Sequence, residues 1–339
     1  MTRPVLALAI VVLLAAAAPL PAVPAYREFE RWFVACDNTR ACNARGFDGA
    51  ARVQLDLTRK AGDAPATLLF AAETPIVSHE MRLDGTPIAF PAPAWASKDG
   101  ALSTSNPRAV TDFVAAARNG HVITLDTATA VDGRPRTVPL EGLADALLLI
   151  DAVQGRPGTR TALIAPTGKA VTPRAPPLPP APRWTVPPAL TRSEARRLMQ
   201  QARSLPSQVF DACDVPDPPS IYPLDAVNAL AIRPCRLAAY QEAFVVAVLP
   251  RVGGQAQPAT RALPGVPQLG AGRGDMVDAE FDPATGRLSS TSKGRGLADC
   301  GSSEVWVWSG GSFRLKSLNF QRMCGGAEPG DWPPLFRTR

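Results

Sequence analysis

A run of prolines constrains this chain more than any other feature. Eight of the sixteen residues from Pro173 to Pro188 are proline. Proline lacks a backbone N–H and fixes φ, so such a run forms neither a helix nor a central strand of a sheet. We therefore predict an extended, semi-rigid linker over residues 171–189. It would join an N-terminal domain over residues 26–170 to a C-terminal domain over residues 190–339.

The first residues have the pattern of a signal peptide. Arg3 precedes an unbroken apolar stretch, Val5–Ala18, and the small residues Val23 and Ala25 are spaced for cleavage before Tyr26. We predict that residues 1–25 are removed on export. No later apolar run is long enough to cross a bilayer, so we expect a periplasmic or secreted protein with no stable membrane insertion after cleavage.

The cysteine content agrees with export, because an even number of cysteines behind a signal peptide indicates disulfides. The six cysteines allow fifteen pairings. Their clustering favours three local bridges but leaves the connectivity open: Cys36–Cys42, Cys213–Cys235 and Cys300–Cys324. No pair has the C-x-x-C spacing of an oxidoreductase, so we interpret the bridges as structural.

Metal and cofactor sites are not predicted. The chain has two histidines, His79 and His121, and neither lies near a cysteine or an acidic residue at metal-ligand spacing. Phosphate-binding loops and nucleophile elbows are also missing from the sequence. We expect no cofactor and no metal.

Hydrophobic periodicity predicts a mainly β chain. Val53, Leu55 and Leu57 alternate with polar residues, as in a half-buried strand, and Thr161–Ala165 reads as the last strand of the N-terminal domain. Asn106 followed by Pro107 indicates the start of a helix.

The C-terminal domain opens with a capping box, Thr191 to Glu194, and continues with strand-length apolar runs. The fold class is therefore α+β and mainly β. We expect two antiparallel β-rich domains, sandwiches or partial barrels, each with one or two helices.

Several short segments resemble a known family. They are Trp32–Cys36 with Asp37–Cys42 and Ala44–Phe47, Leu140–Leu143 with Asp151, Gln154, Gly155 and Arg156, Cys235 with Ala239 and Tyr240, Gly294–Gly301, and Trp332–Pro333. The pattern resembles the bacterial domain-of-unknown-function family 1176, whose members are six-cysteine exported proteins. This resemblance implies export and a shared architecture but no activity. The N-terminal half is also similar to the invasion-associated locus B family, which implies an envelope or surface role.

A group of carboxylates is the first candidate ligand site. Asp278, Glu280 and Asp282 would share one face of a predicted strand, Met276–Phe281, and the turn that follows it. Closely spaced carboxylates serve hydrolases and calcium sites. We favour the alternative of a solvated sheet face with Asp282 in the turn.

Two tryptophans and a loop aspartate complete the candidates. Trp306 and Trp308 occupy alternate positions of a predicted strand, where the two indoles could stack on a sugar or fill the core, and we favour the core. Asp299, next to Cys300, is either a functional loop residue or a carboxylate that caps backbone amides, and we favour the cap.

Composition and motifs together favour a non-enzymatic role. The net charge of +6 is modest, and the one dense basic cluster, Arg192, Arg196, Arg197 and Arg203, lacks interleaved aromatics, so no nucleic-acid partner is expected. We predict a periplasmic binding or envelope-associated component whose partner is an envelope protein or polysaccharide. The alternatives are a cell-envelope hydrolase that uses the clustered carboxylates and an inhibitor of a wall-degrading enzyme.

Overall fold

The computed structural model describes residues 20–48, 53–131, 134–261, 272–326 and 330–339, so most of the predicted signal peptide lies outside the described residues. The fold is α+β and mainly β, as predicted. The N-terminal half contains β1 (Ala25–Phe29), β2 (Trp32–Cys36), β3 (Cys42–Asp48), β4 (Val53–Arg59), β5 (Thr67–Ala72), a 3₁₀ helix (Ser78–Glu80), β6 (Arg82–Leu83), β7 (Thr86–Pro87), β8 (Ala96–Lys98), β9 (Ala101–Thr104), α1 (Pro107–Ala117), β10 (Val122–Val131), β11 (Arg134–Pro139) and α2 (Leu143–Val153).

The C-terminal half begins with a helix and continues as strands. Its elements are α3 (Arg192–Arg203), β12 (Ser220–Pro223), β13 (Asn228–Leu237), β14 (Glu242–Pro250), β15 (Gln257–Pro258), β16 (Thr260–Arg261), β17 (Gly272–Arg273), β18 (Asp275–Val277), β19 (Glu280–Asp282), β20 (Arg287–Lys293), β21 (Gly301–Ser309), β22 (Ser312–Gln321) and β23 (Pro334–Arg337).

All the strand pairings are antiparallel. In the N-terminal half the strand orders are β1-β2-β3-β4-β5-β9-β8 and β11-β10-β6-β7. In the C-terminal half they are β12-β13-β14-β15, with β18 also on β14, then β16-β17 and β19-β20-β21-β22-β23. Successive strands are neighbours in most of these sheets, so short turns suffice to connect them.

Strand β2 belongs to two hydrophobic cores. Because side chains alternate along a strand, Trp32 and Val34 belong to one core together with residues of α1 and α2, while Phe33 and Ala35 belong to another together with the C-terminal sheets. All five residues of the strand are consequently buried. The two halves share the second core, and their independent folding as two domains stays a prediction.

The boundaries of α1 and α3 follow local signals, whereas α2 begins after Gly142 without a side-chain cap. The Asn106 side chain caps α1 by accepting from two backbone N–H groups, and Pro107 occupies the first turn. The capping box of α3 forms between Thr191 and Glu194. None of the helices in the described part of the chain is long and apolar enough to cross a membrane.

The three disulfides join cysteines that are neighbours along the chain. Cys36–Cys42 closes the β2–β3 hairpin, Cys213–Cys235 attaches the segment after α3 to β13, and Cys300–Cys324 joins the start of β21 to the residues after β22. The first bridge therefore joins two strand ends, the second joins a loop to a strand, and the third joins two residues that flank strands.

The proline-rich segment contacts both halves, since the Thr172 hydroxyl donates to Asp63 and later residues lie against the C-terminal half. Residues 171–191 contain no helix or strand. Trp184 packs edge to face on Phe281 with ring centroids 6.1 Å apart, and the Arg339 N–H donates to the Pro179 carbonyl at 3.0 Å. Ring and backbone contacts of this kind hold the segment in place.

Two strand predictions were wrong in detail. Thr161–Ala165 forms turns instead of a strand, because the buried Asp151 carboxylate binds the backbone N–H groups of Leu163 and Ile164. The predicted strand over 276–281 is divided into β18 and β19, because Asp278 adopts a left-handed conformation with φ of 43°.

Candidate functional site

The three carboxylates of the predicted acidic face lie in different surroundings. Asp278 follows β18 and accepts a hydrogen bond from the Glu242 backbone N–H at 2.9 Å. Glu280 opens β19 and is exposed. Asp282 accepts from the Thr285 hydroxyl and from a backbone N–H of its turn, which lowers the pKa of its carboxyl. The break between β18 and β19 removes the single strand on which the three were expected to align.

Asp299 is held by a neighbouring arginine beside a disulfide. The Arg295 guanidinium contacts both carboxylate oxygens, with Nε 2.7 Å from Oδ1. Ligand atoms of Asp299, Cys300 and Cys324 lie within 4.8 Å of one another. Both sulfurs are joined in the disulfide, so neither is a thiolate that could bind a metal.

Both candidate tryptophans lie in the core. Trp306 is 1% and Trp308 is 6% exposed. The Trp306 indole N–H donates to the Glu304 carboxylate at 3.2 Å, and that of Trp308 donates to the Asp225 carboxylate at 3.0 Å. Buried indoles with satisfied N–H groups do not present a stacking surface for a sugar.

A cleft of about 450 Å³ lies between α1 and the segment 83–95. We call it the aromatic cleft, because Phe90, Trp95 and Phe113 contribute to its lining. The Phe90 and Trp95 rings meet nearly at right angles with centroids 4.8 Å apart, and Trp95 contacts Phe113 at 6.1 Å. Aromatic pairs prefer such edge-to-face contacts, so the lining forms a mutually supported cluster.

Polar groups of the aromatic cleft come from α1. Asn106, Arg108 and Asp112 line the cleft and are exposed. The Asn106 side chain is occupied by helix capping, and Arg108 lies 3.8 Å from Asp112 in a solvent-exposed pair. The cleft thus combines an apolar interior with polar groups at its solvent side, the usual make-up of a ligand site.

A second cavity of about 300 Å³ lies against the opposite face of α1, and we call it the basic pocket. Helix positions 107, 110, 111 and 114 line the basic pocket, whereas positions 109, 112, 113 and 116 line the aromatic cleft. Three arginines also line the basic pocket: Arg59, Arg156 and Arg160.

Two of these arginines are buried. Arg59 at the end of β4 is 8% exposed and Arg156 after α2 is 2% exposed. Arg156 is held by the Gln154 side chain at 3.0 Å and the Gly62 carbonyl at 2.7 Å. Burial and the nearby Arg156 cation lower the pKa of Arg59 to about 10, although Asp151 opposes this shift.

Asp151, the carboxylate nearest to Arg59, makes most of its hydrogen bonds to backbone amides. The carboxylate of Asp151 is 3.5 Å from the Arg59 guanidinium but accepts shorter bonds, of 2.8 to 3.0 Å, from the backbone N–H groups of Leu163 and Ile164. Burial raises the pKa of Asp151 against the effect of those amides. Its negative charge therefore only partly balances the two guanidinium groups.

Neither cavity was predicted from the sequence, although Arg59 was a signal for the basic pocket. Arg59 continues the alternating series of Val53, Leu55 and Leu57, so its side chain had to share their buried face. A charged residue at a core-facing position is a standard marker of a functional site. The aromatic cleft had no such signal, because its lining comes from separate parts of the chain.

Fold and cavities define a disulfide-bonded, mainly β protein with two ligand-sized cavities on opposite faces of one helix. The chain belongs to the DUF1176 family, described as a protein of unknown function, whose model matches residues 26–339. It is 29% identical over 339 residues to the uncharacterized protein YpfG of Escherichia coli (strain K12), which covers 94% of each chain. No solved structure matches. The resemblance to the invasion-associated locus B family stays a prediction.

Proposed function

We propose that this protein is exported to the periplasm or cell exterior and acts there as a non-enzymatic binding component of the envelope. Three disulfides support export, because such bridges persist in oxidising compartments. The carboxylates of Asp278, Asp282 and Asp299 each hold a backbone amide or a guanidinium, which supports a structural use of these groups over hydrolysis.

The observation that carries the binding proposal is the aromatic cleft. Its volume of about 450 Å³ and its mainly apolar lining are those of a ligand site. An apolar group that enters this cleft would be removed from water against Phe90, Trp95 and Phe113.

We assign the cleft to an apolar side chain of a partner protein and not to a polysaccharide. Sugar binding generally needs a flat aromatic face that solvent can reach, together with several hydrogen-bonding groups around it. Trp95 is 7% exposed and meets its neighbours edge to face, and the polar lining groups are confined to α1. A protein partner supplies apolar groups that fit such a lining.

Site-specific photo-crosslinking tests the proposal. Benzoylphenylalanine is placed at Ala116, which is exposed and lines the cleft, and at Ala115, which is exposed and lines neither cavity. We expect an adduct with a defined exported protein from position 116 only. An identical set of adducts from both positions, or adducts with polysaccharide alone, would contradict the proposal.

A filling variant serves as the second control. Ala109 is half-buried and lines the cleft, so Ala109→Phe places a ring in the space that the partner would occupy. We expect this change to abolish the adduct at position 116 while circular dichroism shows a retained fold. If the adducted partner is a wall-degrading enzyme, an activity assay of that enzyme decides whether binding inhibits it.

A further inference from the structure

The basic pocket holds a guanidinium whose hydrogen-bonding capacity is not used. Arg59 donates through Nη2 to the Thr161 carbonyl at 2.6 Å and lies 3.5 Å from Asp151 through Nη1. Its Nε has no hydrogen-bond partner among the described residues and is inaccessible to solvent. Because solvent does not reach Nε, a group bound in the pocket meets Arg59 through its Nη atoms, and Nη1, whose contact with Asp151 is long at 3.5 Å, has donor capacity left for it.

The charges around the basic pocket favour an anion. Arg59, Arg156 and Arg160 line it, and Arg160 is exposed at the surface. The acidic residues nearby are Asp151, which binds backbone amides, and Asp63, which is exposed and accepts from the Thr172 hydroxyl. Three cations against two carboxylates leave an excess of positive charge at a partly desolvated site, where an anion interacts strongly.

Apart from Thr111 and Thr161, the rest of the lining is apolar. Val110 and Val114 of α1 face Leu163 and Ala66 across the cavity. A fully hydrated inorganic ion gains nothing from such walls, whereas a short hydrocarbon chain loses its contact with water there. A cavity of about 300 Å³ is also larger than a single oxyanion requires.

We propose that the basic pocket binds a small organic carboxylate, with its carboxylate on Arg59 and Arg156 and a short apolar chain against Val110, Val114 and Leu163. The planar guanidinium fork suits a carboxylate and binds it with two parallel hydrogen bonds. This site lies on the opposite face of α1 from the aromatic cleft and does not depend on the partner proposed for that cleft.

Isovalerate serves as the probe, with acetate and inorganic phosphate as comparisons at constant ionic strength. Binding is followed by calorimetry and by the Nε–H resonance of Arg59 in ¹H–¹⁵N spectra of the mature protein, assigned by its loss in Arg59→Lys. We expect isovalerate to shift this resonance and to bind more tightly than acetate or phosphate. No shift with any of the three anions, or tighter binding of phosphate, would overturn the assignment.

Three substitutions separate site binding from general charge attraction. Arg160→Ala removes an exposed cation of the pocket and should weaken isovalerate binding about threefold, whereas Asp63→Asn removes an exposed anion and should strengthen it about threefold. Arg108→Ala is the matched control, because Arg108 is an exposed arginine of α1 that lines the aromatic cleft. Equal affinities in the Arg160→Ala and Arg108→Ala variants would refute the site.

The buried arginine has its own test. Arg59→Lys keeps the positive charge but removes the planar guanidinium fork, so we expect a loss of affinity of about tenfold or more. Unchanged affinity in a folded Arg59→Lys protein would show that the guanidinium of Arg59 plays no part in binding. If this variant does not fold, Arg160→Ala and Asp63→Asn still decide the proposal, since both change exposed residues.

Discussion

A buried ion pair offers a quantitative test of how the two halves are held together. Arg45 on β3 and Asp56 on β4 are opposite each other in the sheet and are 4% and 5% exposed. Two hydrogen bonds join them, at 2.7 and 3.1 Å. The same guanidinium donates to the Gln321 side chain and to the Asp331 carboxylate, both at 2.9 Å. Arg45 therefore links the N-terminal sheet to the C-terminal half.

Asp56→Asn keeps the shape of the side chain and removes its charge. Burial lowers the pKa of Arg45, but the Asp56 and Asp331 carboxylates together raise it by more. The guanidinium therefore stays ionised in the variant. Removal of one partner from a buried pair costs about 3–5 kcal/mol. Because Asp331 remains as a second partner, we expect the lower value, about 3 kcal/mol of unfolding free energy.

The exposed pair between Arg322 and Glu28 is the matched control, because it too joins the two halves. Its side chains are 58% and 23% exposed. Glu28→Gln should cost less than about 1 kcal/mol. The assay is urea unfolding of the oxidised protein, followed by tryptophan fluorescence. Equal losses in Asp56→Asn and Glu28→Gln would refute the argument that burial sets the strength of the buried pair.

Three further predictions concern local packing, capping and pH. A Cβ on Gly46 would lie 2.2 Å from the Trp32 ring, so Gly46→Ala should destabilise the protein by about 1–3 kcal/mol in thermal unfolding, and an unchanged midpoint would contradict this. Asn106→Ala removes the α1 cap and should cost about 1 kcal/mol, with the loss seen as earlier exchange of the first α1 amides. Hydrogen bonds from Arg251 and Thr191 lower the pKa of Glu194 to about 2 from its ordinary 4.5. The stability from this group is therefore present above pH 4.5 and lost as the pH falls towards 2, so the gap in unfolding midpoint between wild type and Glu194→Gln should close over that range.

Local signals in the sequence were sufficient for α1 and α3 but not for every strand. Asn106 with Pro107 and Thr191 with Glu194 act within one turn of helix, so their effect does not depend on distant contacts. Thr161–Ala165 has strand-like residues, yet a carboxylate that is distant in sequence, Asp151, captures its amides. A hydrogen bond from a segment to a carboxylate elsewhere in the chain leaves no periodic pattern in the sequence of that segment.

The candidate sites were predicted less well for a related reason. The carboxylates at 278, 280 and 282 were assigned to one strand, but the left-handed backbone at Asp278 sends the chain from one sheet to another. Trp306 and Trp308 alternate as expected, and only the packing of the sheets shows that they are enclosed. Cavities depend on the distances between elements, which single-sequence patterns do not contain.

Arg45 and Arg59 are both buried arginines on the N-terminal sheet, and the contrast between them separates support of the fold from ligand binding. Arg45 has two carboxylate partners, whereas Arg59 has one at 3.5 Å and an unpaired Nε. The contacts of Arg59 therefore offset little of the free-energy cost of burying its charge. An apolar residue at this position would continue the buried series of Val53, Leu55 and Leu57.

We therefore expect Arg59→Met to change the unfolding free energy by less than about 1 kcal/mol, while it abolishes isovalerate binding. The Thr161 carbonyl, which Arg59 contacts, is half-buried, so water can replace that bond. Arg45→Met should instead lose about 3 kcal/mol or more, because it leaves the buried Asp56 carboxylate without a cation and with the Gln54 amide, at 2.8 Å, as its remaining side-chain donor. Calorimetric titration and urea unfolding of the two variants measure both properties. A loss of several kcal/mol in Arg59→Met would mean that Arg59 serves the fold, and the argument from its poorly paired guanidinium would fail.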